Sequence, residues 1–189
     1  SVCDLDFNLP TTGTYSVVVA PDFGATGSFT ATLSSDLVVP PLALDGVPSN
    51  VSLTRAGQNV RLTFAGTAGQ NLGFGINGIT MSTLTNFGIT AYNPDSTMLT
   101  SIICQATSLG SCGIDLANLP VTGNYSVVVD PWYGATGSFI TTLSSELIGT
   151  LSAGTPYNLN LRSGQNGLLS FSGTTGQNRT ISILSMATV

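Results

Sequence analysis

The sequence predicts an all-β protein: tandem antiparallel β-sandwich, jelly-roll-like repeats of about 107–110 residues. Three observations predict it. Apolar residues alternate with polar ones at period two, as in half-buried strands. Turn-forming dipeptides separate these segments at intervals of about 8–12 residues, the rhythm of sandwiches and barrels. Long blocks of the chain also recur.

The alternation places eight strands. Val51 and Leu53 share one face of a strand at 50–55. Val60, Leu62 and Phe64 do so at 59–65, and a third strand covers 71–77. Phe87, Ile89 and Ala91 define a strand at 86–92, followed by others at 97–104 and 113–117. Tyr125, Val127 and Val129 form the inner face of 124–130, where Val128 adds bulk to the other side and argues for a central strand. Phe139, Thr141 and Leu143 share a face of 136–144. Asp45-Gly46, Asn77-Gly78 and Asn166-Gly167 accept positive φ and read as hairpin turns. Asn93-Pro94-Asp95-Ser96 fits a type I turn, and Gly57-Gln58-Asn59 and Gly69-Gln70-Asn71 punctuate two successive strand starts.

The recurrence is extensive. The block Leu9-Pro-Thr-Thr-Gly-Thr-Tyr-Ser-Val-Val-Val19 returns as Leu119-Pro-Val-Thr-Gly-Asn-Tyr-Ser-Val-Val-Val129, a spacing of 110 residues. Arg55-Ala-Gly-Gln-Asn59 returns as Arg162-Ser-Gly-Gln-Asn166, a spacing of 107. The expected organisation is therefore residues 1–38 as the C-terminal part of one repeat, 43–146 as a whole repeat, and 147–189 as the N-terminal part of another. The chain, which starts at Ser1, reads as a processed product or an excerpt. The partial repeats call for strands supplied by a longer chain or by copies of the chain itself.

Composition limits the function. Charged residues make up 7% of the 189, against about 25% in an ordinary soluble domain. Mean hydropathy is +0.36, but Ser, Thr, Asn and Gly interrupt every apolar run, so no transmembrane segment is expected. Four arginines against nine acids cannot form the basic face that nucleic acid requires. With no histidine and no lysine, the usual general bases and activated nucleophiles are missing, so no catalytic residues, cofactor or metal centre are expected and the protein reads as a non-enzyme. The absence of lysine also excludes Lys–Asn isopeptide crosslinks. An uncharged polar surface suits packing against copies of itself.

Cys104 and Cys112 are close enough to form a short disulfide loop, which favours an oxidising compartment. Cys3 lies one residue out of register with Cys112, and its partner would precede Ser1. Leu9-Pro-Thr-Thr-Gly13 and Leu119-Pro-Val-Thr-Gly123 match a sortase signal, but each is followed by a strand rather than an apolar segment and a basic tail, and each reads as a turn. Asp4, Asp6, Asp115 and Asp130 are the carboxylates from which a calcium site could be drawn, too scattered to favour one. Phe23, Trp132 and Tyr133 fall in equivalent loops and could stack on a sugar or anchor a contact. Asn50, Asn124 and Asn178 open N-glycosylation sequons.

The Leu-Pro-x-Thr-Gly-x-Tyr-Ser-Val-Val-Val motif at Leu9 and Leu119 resembles that of bacterial pre-peptidase C-terminal β-sandwich domains, and tandem units of this kind occur in large secreted surface proteins. The resemblance implies a bacterial, extracellular or cell-surface setting; such domains accompany secreted peptidases or adhesins, and with no peptidase present here only the fold and the secreted context carry over. It also fits a tyrosine corner, with Tyr15 and Tyr125 burying their rings and returning their hydroxyls to upstream backbone. The expected role is a structural subunit or segment of an extracellular filament, stalk or sheath whose partners are copies of itself. The alternative is an adhesin or carbohydrate-binding module with glycans as partners.

Overall fold

The computed structural model describes residues 4–83, 85–105 and 110–184. Nine strands build a two-sheet β-sandwich: β1 (Leu37–Val38), β2 (Ser49–Leu53), β3 (Val60–Gly66), β4 (Leu72–Met81), β5 (Phe87–Tyr92), β6 (Met98–Cys104), β7 (Ser111–Leu116), β8 (Gly123–Pro131) and β9 (Gly137–Ser145). One sheet has the order β1-β3-β8-β5-β6 and the other β2-β9-β4-β7. All pairings within the sandwich are antiparallel except β1 with β3.

The period-two pattern produces this architecture directly. Leu62 and Phe64 on β3, Ile89 on β5 and Val127 on β8 face inward from one sheet; Phe74 on β4 and Phe139 on β9 face them from the other. Each is essentially removed from water, and burying one such side chain stabilises by about 1.5–3 kcal/mol. Phe64 stacks on Tyr125, while Phe87 meets Phe139 edge to face. β8 lies between β3 and β5, the central position its bulk on both faces suggested.

Two turn expectations are corrected. Asn77-Gly78 does not end a strand: β4 runs on to Met81, and the chain absorbs Gly78 (φ 58°) in a register shift against β9. The cause is continued pairing with β9, which carries the strand past a residue pair otherwise suited to a turn. Asn166-Gly167 also continues extended, with Gly167 opening a short strand. By contrast Asp45 (φ 55°) and Asn93–Ser96 do turn, and the Ser96 amide donates to the Asn93 carbonyl.

Outside the sandwich, residues 4–36 form no strands and include a 3-10 turn at Asp22–Gly24; Asp4, Asp6 and Ser34–Asp36 bond to the sandwich. After β9, β10 (Leu147–Thr150) pairs in parallel with β11 (Gly167–Ser170). Among the described residues no helix is long and apolar enough to cross a membrane.

Candidate functional site

Four copies of one turn organise the surface. Each reads Arg/Thr-x-Gly-Gln, and its glycine has positive φ: 65° at Gly57, 81° at Gly69, 71° at Gly164 and 84° at Gly176. The glutamine amide N–H closes the turn by donating to the carbonyl three residues back, as from Gln165 to Arg162 at 3.0 Å. Its side-chain oxygen then accepts a backbone N–H at the turn's start: Thr67 to Gln70, Arg162 to Gln165 and Thr174 to Gln177, with Thr54 to Gln58 one residue earlier. Only glycine adopts the third position without a steric cost, so Gly-Gln is a structural requirement of the turn.

Two of these turns lie between sections of the chain, and they are held alike. At the front, Gln58 Nε2 donates to the Ser35 carbonyl at 3.5 Å, Asn59 Nδ2 to Asp6 Oδ1 at 3.0 Å, and the Leu37 amide to the Asn59 carbonyl at 2.7 Å. At the rear, Gln165 Nε2 donates to the Ser145 carbonyl at 2.8 Å, Asn166 Nδ2 to Asp115 Oδ1 at 2.7 Å, and the Leu147 amide to the Asn166 carbonyl at 2.9 Å. Gln165, Asn166, Ser145 and Leu147 are the repeat equivalents of Gln58, Asn59, Ser35 and Leu37, and Asp115 matches Asp6 one residue out of register. The parallel pairs agree too, starting with Leu37 opposite Val60 and Leu147 opposite Gly167.

The rear turn sits on a floor of glycines. Because Leu72, Phe74 and Ile76 point into the core, Gly73 and Gly75 present bare backbone on the outer side of β4, with Gly113 paired beside Gly75 on β7. A Cβ on Gly73 would overlap the Gly164 carbonyl, and one on Gly75 the Ser163 carbonyl. Around this close approach, Ser163 Oγ donates to the Ile76 carbonyl at 3.1 Å, Thr142 Oγ1 to the Ser163 carbonyl at 2.9 Å, and Arg162 Nη2 to the Gly46 carbonyl at 2.6 Å.

The two tyrosine loops share their local geometry but not their burial. Tyr125 Oη donates to the Val121 carbonyl, and Tyr15 Oη to the Thr11 carbonyl, both at 2.5 Å. Tyr125 is 1% exposed, whereas Tyr15 is 45% exposed. The expected burial of Tyr15 is thus not found: no second sheet covers the strand-like segment that carries it. Both Leu-Pro-x-Thr-Gly motifs belong to these loops.

Cys104 and Cys112 form a disulfide, with Cα atoms 6.2 Å apart. It joins β6, at the edge of one sheet, to β7, at the edge of the other. Cys3 lies outside the described residues. The aspartates do not converge on one site. Asp115 serves the rear turn, while Asp4 accepts the Gly134 amide at 2.6 Å near Asp6 and Asp130. Burial, then the charges of Asp6 and Asp4, push the Asp130 carboxyl up to about 6.

Phe23 and Tyr133 occupy equivalent 3-10 turns at φ 55° and 62°, a left-handed conformation that costs a bulky residue about 1–3 kcal/mol. Both rings are exposed, and Tyr133 meets Trp132 edge to face. Asn50, Asn124 and Asn178 are exposed as well.

No family model matches the chain, and no curated protein matches it. Solved structures do. One is the periplasmic inhibitor of g-type lysozyme from Aeromonas hydrophila, at 18% identity over 59% of this chain and 99% of that one, TM-score 0.39. Another is the pre-peptidase C-terminal domain of a Bacillus anthracis collagenase, at 10% identity over 61% of this chain and 99% of that one, TM-score 0.35. At these scores neither carries an argument, and the sandwich assignment rests on the strand order itself.

The sequence presents Gly57-Gln58-Asn59 as strand punctuation and does not single out Gly73 and Gly75 by any motif. A signal for the latter was present, since glycine at alternate positions of a strand marks close approach by another backbone.

Proposed function

We propose that the chain is a structural segment of an extracellular or cell-surface filament, stalk or sheath, in which β-sandwich units follow one another head to tail. The observation that carries the reading is the joint made twice. Equivalent glutamine, asparagine and serine residues, spaced as the sequence repeat is spaced, together with an aspartate one residue out of register, hold the turn of one section against the section before it. A connection built from several hydrogen bonds and a backbone-on-backbone seat restricts rotation, whereas a flexible linker would not. The disulfide fits secretion into an oxidising compartment. The partners in this reading are further units of the same kind.

Electron microscopy of a chain carrying residues 37–146, one full period, several times in series tests it. Stiff particles with a regular axial repeat are expected; beads at random angles would overturn the reading.

A second reading, adhesion through Phe23, Trp132 and Tyr133, draws on the two exposed aromatic rings held at positive φ. Backbone strain kept at equivalent turns suits rings that contact a partner such as a glycan. Binding to a glycan array that disappears in Trp132→Ala and Tyr133→Gly supports it, and unchanged binding counts against it.

A further inference from the structure

We propose that the free edge of β6 pairs antiparallel with β6 of a second copy of the chain, about a two-fold axis at Ile102, joining two sandwiches side by side. The inference goes beyond the serial joint described above and uses a different surface.

β6 is an edge strand without a guard. Among the described residues it pairs only with β5, so no strand lies along its other side. Such edges are usually blunted by lysine, proline or an inward-pointing charge. The chain contains no lysine, and no charged residue or proline falls between Asp95 and Asp115. A register shift against β5 near Met98 leaves Thr100–Cys104 as a regular ladder. Ile102 is partnered by Ile89 and so lies on the inner face, yet it is 41% exposed while Ile89 is fully buried. Ile103, on the outer face, is 62% exposed. Both belong to the sandwich in which β1 to β9 are all present, so their exposure comes from their place at the rim of a sheet.

The strand's own pattern names its partner. Turning Thr100–Cys104 about Ile102 sets Ile102 against Ile102 of the second copy, Ser101 against Ile103 and Thr100 against Cys104. The half-exposed Ile102 therefore meets the same side chain across the axis, and apolar surface on both sandwiches is covered at once. Charge points the same way. The chain carries a net charge of −5 but none on this strand, so two copies meet here without like charges in contact. A charged peptide strand would find no counter-charge on β6.

The contact is isologous, the same patch on both copies, so it closes at two. Strand addition of this kind merges the two five-stranded sheets into one continuous sheet with β1 at each end. β1, which makes the front parallel pair, is thus the edge farthest from the new contact, and the glycine seat of the rear turn lies on the other sheet. Side-by-side pairing leaves both turns of the serial joint free. Units in series then pair along their length, each contact raising the effective concentration for the next.

Sedimentation equilibrium tests the proposal on the 189-residue chain and two double variants. Ser101→Lys/Ile103→Lys and Ser101→Glu/Ile103→Glu alter only exposed side chains on the outer face of β6, so the core is untouched. In the proposed register residue 101 of each copy faces residue 103 of the other, so each variant sets like charges opposite one another at two places. The unsubstituted chain is expected to associate, and each variant to do so about tenfold more weakly or worse. Their equimolar mixture, with opposite charges facing, should return to within about threefold of the unsubstituted chain. Thermal unfolding checks the fold; should a double substitution lower the melting temperature, Ser101→Lys and Ser101→Glu alone carry the same comparison. An unsubstituted chain that does not associate, variants that associate as it does, or a mixture no tighter than either variant would each overturn the proposal. The chain ends are the same in all these proteins, so association through them would leave all alike. Loss of the side-by-side contact leaves the stiffness of the serial particles unchanged, so the two readings fail separately.

Discussion

Gly75 lies directly beneath the carbonyl of Ser163, so closely that a methyl group on Gly75 would occupy the place of that oxygen. This contact joins the sandwich to the section after it. It predicts that Gly75→Ala displaces the Arg162–Asn166 turn while leaving the sandwich folded, since the added carbon points away from the core. Hydrogen exchange is the measurement. Amides at 162–170 should exchange about tenfold faster or more, with β3 and β8 still protected. Equal protection in both proteins would mean that the turn is not seated on Gly75.

The disulfide links edge strands of opposite sheets, and its loss should loosen the sandwich at that edge. Replacing both Cys104 and Cys112 with serine is expected to cost about 2–3 kcal/mol in urea unfolding, from loop-closure entropy returned to the unfolded chain.

Asp130 makes stability depend on pH in an unusual direction. Its carboxyl titrates near 6 in the folded protein, against an ordinary value of 3.8, because burial and then Asp6 and Asp4 disfavour its charge. The folded state therefore holds this proton more tightly than the unfolded state, and acidification favours folding between pH about 6 and 3.8. The melting temperature should rise from pH 7 to pH 5. In Asp130→Asn the rise should be lost, and the variant should exceed the parent in stability at pH 7.

Tyr133 sits at φ 62°, where glycine is unstrained. Tyr133→Gly should leave stability within about 0.5 kcal/mol of the parent or raise it, although a large ring is removed. A loss above about 2 kcal/mol would show that packing against Trp132 outweighs the backbone cost.

The tyrosine loops separate local from tertiary effects. Tyr125→Phe strips a buried hydroxyl of its bond to Val121 and should cost about 1–2 kcal/mol. Tyr15→Phe removes the same bond at a half-exposed site and should cost less than about 0.5 kcal/mol in the monomeric chain. Thermal unfolding of both checks the contrast.

That contrast also marks what the sequence by itself determined. Wherever a motif repeats, its local geometry repeats. The Arg/Thr-x-Gly-Gln turns close through their own glutamines, Tyr15 and Tyr125 reach back across the same interval, and Phe23 and Tyr133 take the same left-handed turn. These features need only neighbours in sequence. The period-two pattern likewise announced strands and their inner faces, because pleating alone alternates side chains. The tertiary structure decided the rest. Val17 and Val127 lie in nearly identical sequence, yet one is exposed and the other buried, since burial requires an opposing sheet. Asn77-Gly78 looked like a turn until pairing with β9 carried β4 past it. The joint was least legible: its Gln165–Ser145 bond and its seat on Gly73 and Gly75 unite residues distant in sequence, and no local preference specifies which backbone will lie on a bare strand.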